Sequence, residues 1–184
     1  EYKQKFSNSA IGLAISYAEA GDQANAEPAF IKGVQMAWEI AQAFPSDVGF
    51  QIEAAGATRM TGIFFQNFRQ LDKAEEYLLD AGRRLENLVE NAPNNPTLRL
   101  DLAKTAHALG TNFRATGDLQ NAIHWTRRAI KLEESVLVEM NRIPIVRHKL
   151  CQEYRQLGEL LLQEKKSDLF DSIISTDSAS LSAM

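Results

Sequence analysis

The sequence has one cysteine, five prolines and no long hydrophobic segment among its 184 residues. Because Cys151 is the only cysteine, no disulfide can form within the chain, and a reducing compartment such as the cytoplasm is expected. No stretch approaches the roughly 20 apolar residues that a membrane-spanning helix needs, so no membrane association is expected. These absences argue against a disulfide-stabilised secreted fold and against an integral membrane protein.

The chain also lacks a surplus of positive charge. Its formal net charge is −4, from 20 Lys and Arg against 24 Asp and Glu, and the basic residues are spread along the whole sequence. A short basic pair, Arg127-Arg128, is followed closely by Glu133 and Glu134. Because a nucleic-acid-binding protein usually carries a basic stripe, nucleic acid is not an expected partner.

Catalytic and metal-binding motifs are missing as well. The sequence contains no glycine-rich phosphate loop, no nucleophile elbow and no paired His-Glu metal motif. Glu133 and Glu134 are adjacent and point in different directions on a helix, so they cannot form a facing acid/base pair. His148 and Cys151 could reach one metal ion, but a structural zinc site needs four ligands. We therefore predict no enzymatic activity, no cofactor and no metal, with His148 at the surface and Cys151 buried.

The main feature that is present is a pattern that recurs every 48 residues. Its most regular position holds a small residue, at Ala14, Gly62, Gly110 and Gly158. Large residues three positions later and alanines further on keep the same spacing: Tyr17, Phe65, Phe113 and Leu161, then Ala26, Ala74 and Ala122. A fixed period of roughly 20–50 residues indicates an array of stacked supersecondary units. Since stacked units share one core, the sequence predicts a continuous array without a domain boundary.

Each unit is predicted to form two helices. In the third unit Asn95 is a candidate N-cap and Pro96 suits the first helical turn, after which apolar residues follow helical spacing as far as Phe113. Gly117-Asp118 marks a turn between two helices, and Pro144 should stop the second helix. No segment alternates apolar and polar residues with a period of two. The predicted fold class is all-α, with seven main helices covering about three quarters of the chain against the usual third.

The small residues predict close helix crossings. Where two helices cross closely, a side chain larger than Ala would hold the backbones apart, and a glycine inside a helix costs up to about 1 kcal/mol relative to Ala. We therefore expect Gly62, Gly110 and Gly158 at such crossings, beside large residues that fill the adjacent volume. The predicted units are 2–49, 50–97, 98–145 and a partial 146–166, followed by a short helix or a disordered Ser-rich tail at 167–184.

The motif Leu109-Gly110-x-x-Phe113, followed by Ala122 and Ala129, resembles the tetratricopeptide repeat. Related versions occur in the other units as Leu13-Ala14-x-x-Tyr17, Thr61-Gly62-x-x-Phe65 and Leu157-Gly158-x-x-Leu161. The period exceeds the family's 34 residues, and the usual Trp is replaced by Ala10, Thr58 and Ala106. Long units of this kind are similar to the repeats of kinesin light chains and of bacterial proteins in which the array accompanies a signalling domain. The resemblance, over residues 2 to about 166, implies a right-handed α-solenoid that serves as an interaction scaffold or regulatory module of a larger protein.

Members of this family usually bind partners along a concave surface lined by the first helix of each unit. The resemblance places these residues on that surface: Ile11, Ile15, Arg59, Ile63, Gln66, Lys104, His107, Thr111, Arg114, Arg155 and Glu159. The groove would be apolar at its N-terminal end and mostly basic afterwards, with Arg59, His107 and Arg155 in one column. Since Arg and Lys pair with carboxylates and phosphates, the expected partner is a protein or peptide segment with apolar and, as one option, acidic portions.

Three alternatives to a groove ligand stay open. The inner charges could serve only to keep the surface solvated. The stack could be a structural spacer, or could form homo-oligomers through its exposed ends, where Tyr2, Phe6 and Leu13 lie at one end. The tail, with Leu169 and Phe170 among acidic residues, could occupy a groove of this chain or of a neighbour, or it could be a frayed end.

Overall fold

The computed structural model describes residues 2–140 and 150–168, with side chains from 9 to 137 and from 150 to 168. The helices in these ranges are α1 (Tyr2–Glu19), α2 (Gln23–Ala43), α3 (Val48–Asn67), α4 (Leu71–Asn91), α5 (Pro96–Thr116), α6 (Leu119–Met140) and α7 (150–168). No strand occurs within the described ranges. The predicted all-α fold class with seven main helices is therefore confirmed.

The helices form a stack of hairpins. The helix α1 pairs with α2, α3 with α4 and α5 with α6, and successive hairpins meet where α2 packs on α3 and α4 packs on α5. The helix α3 also packs directly against α5, so first helices of successive hairpins are neighbours. Another layer begins with α7, whose Leu160 is fully buried in a cluster with Leu109 and Phe113. The predicted solenoid of stacked helical hairpins is present in the described part of the chain.

The turn inside each hairpin has the same backbone conformation at the same position of the repeat. Gly21, Arg69 and Gly117 have φ values of 75°, 59° and 85°. Glycine adopts a left-handed φ without steric cost, whereas an arginine in this conformation is strained. In the first and third hairpins the next residue, Asp22 or Asp118, accepts a hydrogen bond from the backbone N–H three positions later. The turn predicted at Gly117-Asp118 is therefore confirmed, and the first hairpin has the same turn at Gly21-Asp22.

The starts of the first helices follow a second local rule. The Asn95 side chain accepts hydrogen bonds from two backbone N–H groups in the first turn of α5, and Pro96 is the first residue of that helix, as predicted. Asp47 caps α3 in the same way. Because a capping side chain satisfies N–H groups that lack a partner within the helix, both helices begin at defined residues. The predicted stop at Pro144 lies outside the described residues.

The predicted close crossing is confirmed at two glycines. A Cβ added at Gly62 would lie 2.7 Å from Leu78 Cγ, and one added at Gly110 would lie 2.8 Å from Thr126 Oγ1. Real Cβ atoms essentially never come so close to another atom, so the two helices of these hairpins need glycine to approach as they do. At Gly158 no described atom lies within 4 Å of such a Cβ. The segment that would face Gly158 in the repeat follows residue 168 and lies outside the described residues.

Burial at a repeated position depends on whether another hairpin covers it. Ala55 is fully buried because Leu98 and Leu102 of the next hairpin pack against it. The equivalent residue in the last layer is Cys151, which we predicted to be buried and which is exposed. That prediction was wrong because no described hairpin follows α7. The companion prediction for His148 lies outside the described residues, as does most of the predicted tail, although 167 and 168 still belong to α7.

Candidate functional site

The residues predicted to line a groove are all on the first helices of the hairpins, α1, α3, α5 and α7. The structure divides them into two groups. Ile11, Ile15 and Ile63 line a cleft between α1 and α3. Most of the others make polar contacts that join α3 to α5 and α5 to α7.

The cleft between α1 and α3 consists of two adjoining hollows that share Ile15 and Met60 in their walls. The larger has a volume of about 420 Å³ and extends to Ile63. The smaller has a volume of about 350 Å³ and extends to Ile11 and Ala57. Both volumes lie in the range of about 300–1,000 Å³ that is typical of ligand sites in proteins.

Aromatic side chains form the floor of the larger hollow. The ring centroid of Phe64 lies 4.8 Å from that of Phe30 and 4.9 Å from that of Phe68. Phe64 is 3% exposed, and tilted aromatic pairs at such distances are favourable. Because these rings are held by packing within the stack, the hollow exists before any ligand arrives.

The charged residues among the described lining of the cleft are both acidic. Glu19 lines the larger hollow and Glu53 lines the smaller one, and both side chains are exposed. Glu19 is the last residue of α1, and Asn67, the last residue of α3, lines the same hollow. The C-terminus of a helix carries partial negative charge because the peptide dipoles are aligned along its axis. Two helix C-termini and one carboxylate therefore make this end of the cleft electronegative.

Arg59, the first member of the predicted basic column, faces a carboxylate. Its Nη2 atom lies 4.0 Å from Asp101 Oδ1, and Lys104 Nζ lies 2.9 Å from the same oxygen. Burial lowers the pKa of Arg59 from its ordinary value, and the negative charge of Asp101 opposes that shift. The positive charges of Arg59 and Lys104 thus share one acidic partner within the stack.

Three further charged or titratable members of the predicted groove contact a partner on a neighbouring helix, and one is exposed. His107 Nδ1 lies 3.0 Å from Glu153 Oε1 of α7, and that carboxylate is fully buried. Arg114 Nη2 lies 3.3 Å from Glu159 Oε2, so two predicted groove residues contact each other. Arg155, the last residue of the column, is exposed on α7.

Amide side chains join α5 to both helices of the preceding hairpin, α3 and α4. Gln66 Nε2 donates to the carbonyl oxygen of Ala108 at 3.3 Å and lies 3.5 Å from Asn112 Oδ1. Asn112 is fully buried and donates through Nδ2 to the carbonyl oxygen of Leu71 at 3.1 Å. Thr111 donates its hydroxyl to the carbonyl oxygen of His107, one turn earlier in the same helix. Gln66 therefore fastens two helices together, and Thr111 bonds within α5.

Sequence reasoning missed both the acidic partners and several walls of the cleft. The missed partners include Asp101 and Glu153, and the missed walls include Met60, Phe64 and Phe68. A regular spacing could have identified the partners, because six side-chain hydrogen bonds between neighbouring units join residues 41 to 46 positions apart. That separation falls short of the 48-residue period, so comparison of equivalent positions alone does not bring these residues together.

No protein-family model matches the sequence, and no curated protein matches it. Among solved structures, a chain described as "DHF58 filament" is similar to this one, with 16% sequence identity and a TM-score of 0.41. The similarity covers 92% of this chain and 83% of that chain. Similarity at this level carries no conclusion about fold or function.

The described residues also bear on metal binding and on membrane crossing. Within 2–140 and 150–168, no three His, Cys, Asp or Glu side chains are grouped so that they could hold a metal ion. None of the helices described in those ranges has both the length and the apolar composition needed to cross a bilayer.

Proposed function

We propose that this chain is a tetratricopeptide-like interaction module that acts by binding a segment of a partner protein in the cleft between α1 and α3. The observation that supports this most is the preformed apolar surface made by Ile15, Met60 and Ile63 over the floor of Phe64. Apolar surface in contact with water is unfavourable by about 25 cal/mol for each Å². A partner side chain that fills the cleft would remove this cost.

The polar contacts further along the stack support the same proposal in a different way. Hydrogen bonds from Gln66 to the Ala108 carbonyl and to Asn112 hold α3 against α5, and α3 forms one wall of the cleft. A wall that is fixed in this way loses little conformational freedom when a ligand binds, which favours affinity. The hydrogen-bonded contact between α3 and α5 thus supports the open cleft between α1 and α3.

An acidic portion of the partner is less well supported than an apolar one. Arg59, Lys104, His107 and Arg114 lie within 4.0 Å of carboxylates of this chain. An acidic partner would therefore depend mainly on Arg155, which is exposed. The proposed location is a reducing compartment such as the cytoplasm, because the chain has a single cysteine.

The proposal is tested by affinity capture from a cell extract with three forms of the intact chain. Met60→Glu places a charge in both hollows and should abolish capture of specific partners. Met36→Glu is the matched control, because Met36 is also half-buried and lies on α2 outside the cleft. Circular dichroism establishes that all three forms are equally helical. If the same proteins are captured by all three, the cleft is not the binding site.

A second candidate function, self-association through an end of the stack, is favoured by one observation. Leu13 is 51% exposed, whereas its repeat equivalents Thr61 and Leu109 are fully buried beneath a neighbouring hairpin. A second copy could cover Leu13 in the way that a preceding hairpin covers the others. Sedimentation at several concentrations tests this: the alternative requires an oligomer that Leu13→Glu converts to monomer, and a monomer at all concentrations excludes it.

A further inference from the structure

We infer that the segment held between α1 and α3 is an amphipathic helix that places a positively charged side chain beside Glu19. This inference rests on the proposed function and specifies the chemistry of the partner. It is carried by the distribution of polar groups along the cleft and by the electrostatic character of its end.

The helical conformation follows from where the cleft offers hydrogen bonds. Among its described lining residues, the charged and amide side chains are Glu19 and Asn67 at one end and Glu53 at the other. The walls between these ends are made by apolar side chains such as Ile15 and Met60. An extended peptide would bury backbone N–H and C=O groups along these walls without partners, which is costly. A helix satisfies the same groups internally.

The dimensions of the cleft set the spacing of the apolar side chains on that helix. Ala57 lines one hollow and Phe64 the other, and seven residues of helix span about 10 Å at 1.5 Å per residue. On a partner helix the same distance separates residues i and i+7. The lining of α3 extends from Glu53 to Asn67, about 21 Å, so a helix of about 14 residues matches the cleft in length and places one row of side chains in it.

The charge preference follows from the end at which α1 and α3 finish. The C-termini of these two helices and the exposed Glu19 carboxylate together disfavour another negative charge there. None of the described residues that line either hollow is basic. Arg69 follows one residue after Phe68 but is not among the lining residues. A Lys or Arg at one end of the bound helix would neutralise Glu19, whereas an acidic residue there would be repelled.

Selection from a random library identifies the preferred ligand. A displayed library of random peptides of about 15 residues is selected on the intact chain, and each enriched peptide is tested again on the Met60→Glu variant. The expected peptides have apolar residues seven positions apart, carry a Lys or Arg near one end, become more helical on binding, and lose binding to Met60→Glu.

Charge variants then test the contact with Glu19. For the best selected peptide, Glu19→Lys should weaken binding about three- to tenfold and Glu19→Gln about two- to threefold, because an exposed ion pair makes a modest contribution. The matched control is Glu90→Lys, since Glu90 is also exposed in the last turn of a helix, α4, and is not among the residues that line the cleft. The affinity of the Glu90→Lys variant for the selected peptide should be unchanged.

The outcomes separate the inference from the proposed function. Peptides that depend on Met60 but are acidic, remain extended, or bind Glu19→Lys as well as the unmodified chain would overturn the inference and leave the proposed function standing. A selection that enriches no peptide sensitive to Met60→Glu would overturn both.

Discussion

The first two gaps between successive first helices, α1–α3 and α3–α5, have opposite character. Between α1 and α3 the gap is open and apolar, with Phe64 in its floor. Between α3 and α5 it is closed by hydrogen bonds from Gln66 to the Ala108 carbonyl and to Asn112. Asn112 also donates to Leu71 at the start of α4. Phe64 and Asn112 occupy the same position of the 48-residue repeat. The comparison shows that an amide at this position can bond across to the preceding hairpin, whereas a phenylalanine contributes only packing and leaves space beside it.

The largest expected loss of stability comes from a substitution in the floor of the open gap. Phe64→Ala should lower the free energy of unfolding by about 3–5 kcal/mol, because it removes a buried aromatic side chain and leaves a cavity. Chemical denaturation followed by circular dichroism measures the change. A loss below about 1 kcal/mol would mean that the aromatic floor is not packed as described, and the contrast between the gaps would lose its basis.

A smaller loss of stability is expected from a substitution on α3, the helix that borders both gaps. Gly62→Ala should destabilise the fold by about 1–3 kcal/mol, since the added Cβ would lie 2.7 Å from Leu78 Cγ and overpack the crossing. Gly56→Ala is the matched control, because Gly56 lies on the same helix and no atom lies within 4 Å of its added Cβ. That change should raise stability by up to about 1 kcal/mol through helix propensity. Equal effects at both positions would contradict the close crossing.

The closed gap is tested at Asn112. Replacing Asn112 with Ala should cost about 1–2 kcal/mol, because it removes the hydrogen bond to the Leu71 carbonyl and a long contact with Gln66. Hydrogen exchange should quicken in α3, α4 and α5 while α1 is unaffected. The double variant with Gln66→Ala should cost less than the sum of the single changes, since the two side chains contact each other. Strict additivity would show that the amides do not act together.

The 48-residue repeat predicts the helices and their close crossings, but it does not predict the difference between the α1–α3 gap and the α3–α5 gap. The helix start at Asn95 and the crossings at Gly62 and Gly110 follow from local rules that act at equivalent positions of each unit. The contact between His107 and Glu153 does not, because these residues have different positions in the repeat. The width of the gap beside α1 depends on how whole helices pack, which no single residue type encodes. Sequence reasoning therefore located the first helix of each hairpin and named Ile15, which lines the open gap, but it did not find the pairing of the charged side chains.

The smallest expected effect concerns the turn that follows the open gap. In the third hairpin Asp118 caps α6, whereas Gln70 at the equivalent position before α4 makes no capping hydrogen bond through its side chain. Gln70→Asp should therefore stabilise the fold by about 0.5–1 kcal/mol at neutral pH. A hydrogen bond from the backbone N–H of Asn121, with a second from its side chain, lowers the pKa of Asp118.

The same lowering is expected for a new aspartate at position 70. A carboxyl with a depressed folded-state pKa stabilises the fold above its unfolded pKa of about 3.9, and this contribution is lost as the pH falls through the folded-state pKa. Thermal melts at neutral and strongly acidic pH should thus show a gain for Gln70→Asp that disappears in acid. Gln70→Asn is the matched control, because an amide caps without titrating and its gain should persist. If the aspartate variant gained as much in acid as at neutral pH, the added stability would not come from a charged cap, and the difference between the two turns would have another cause.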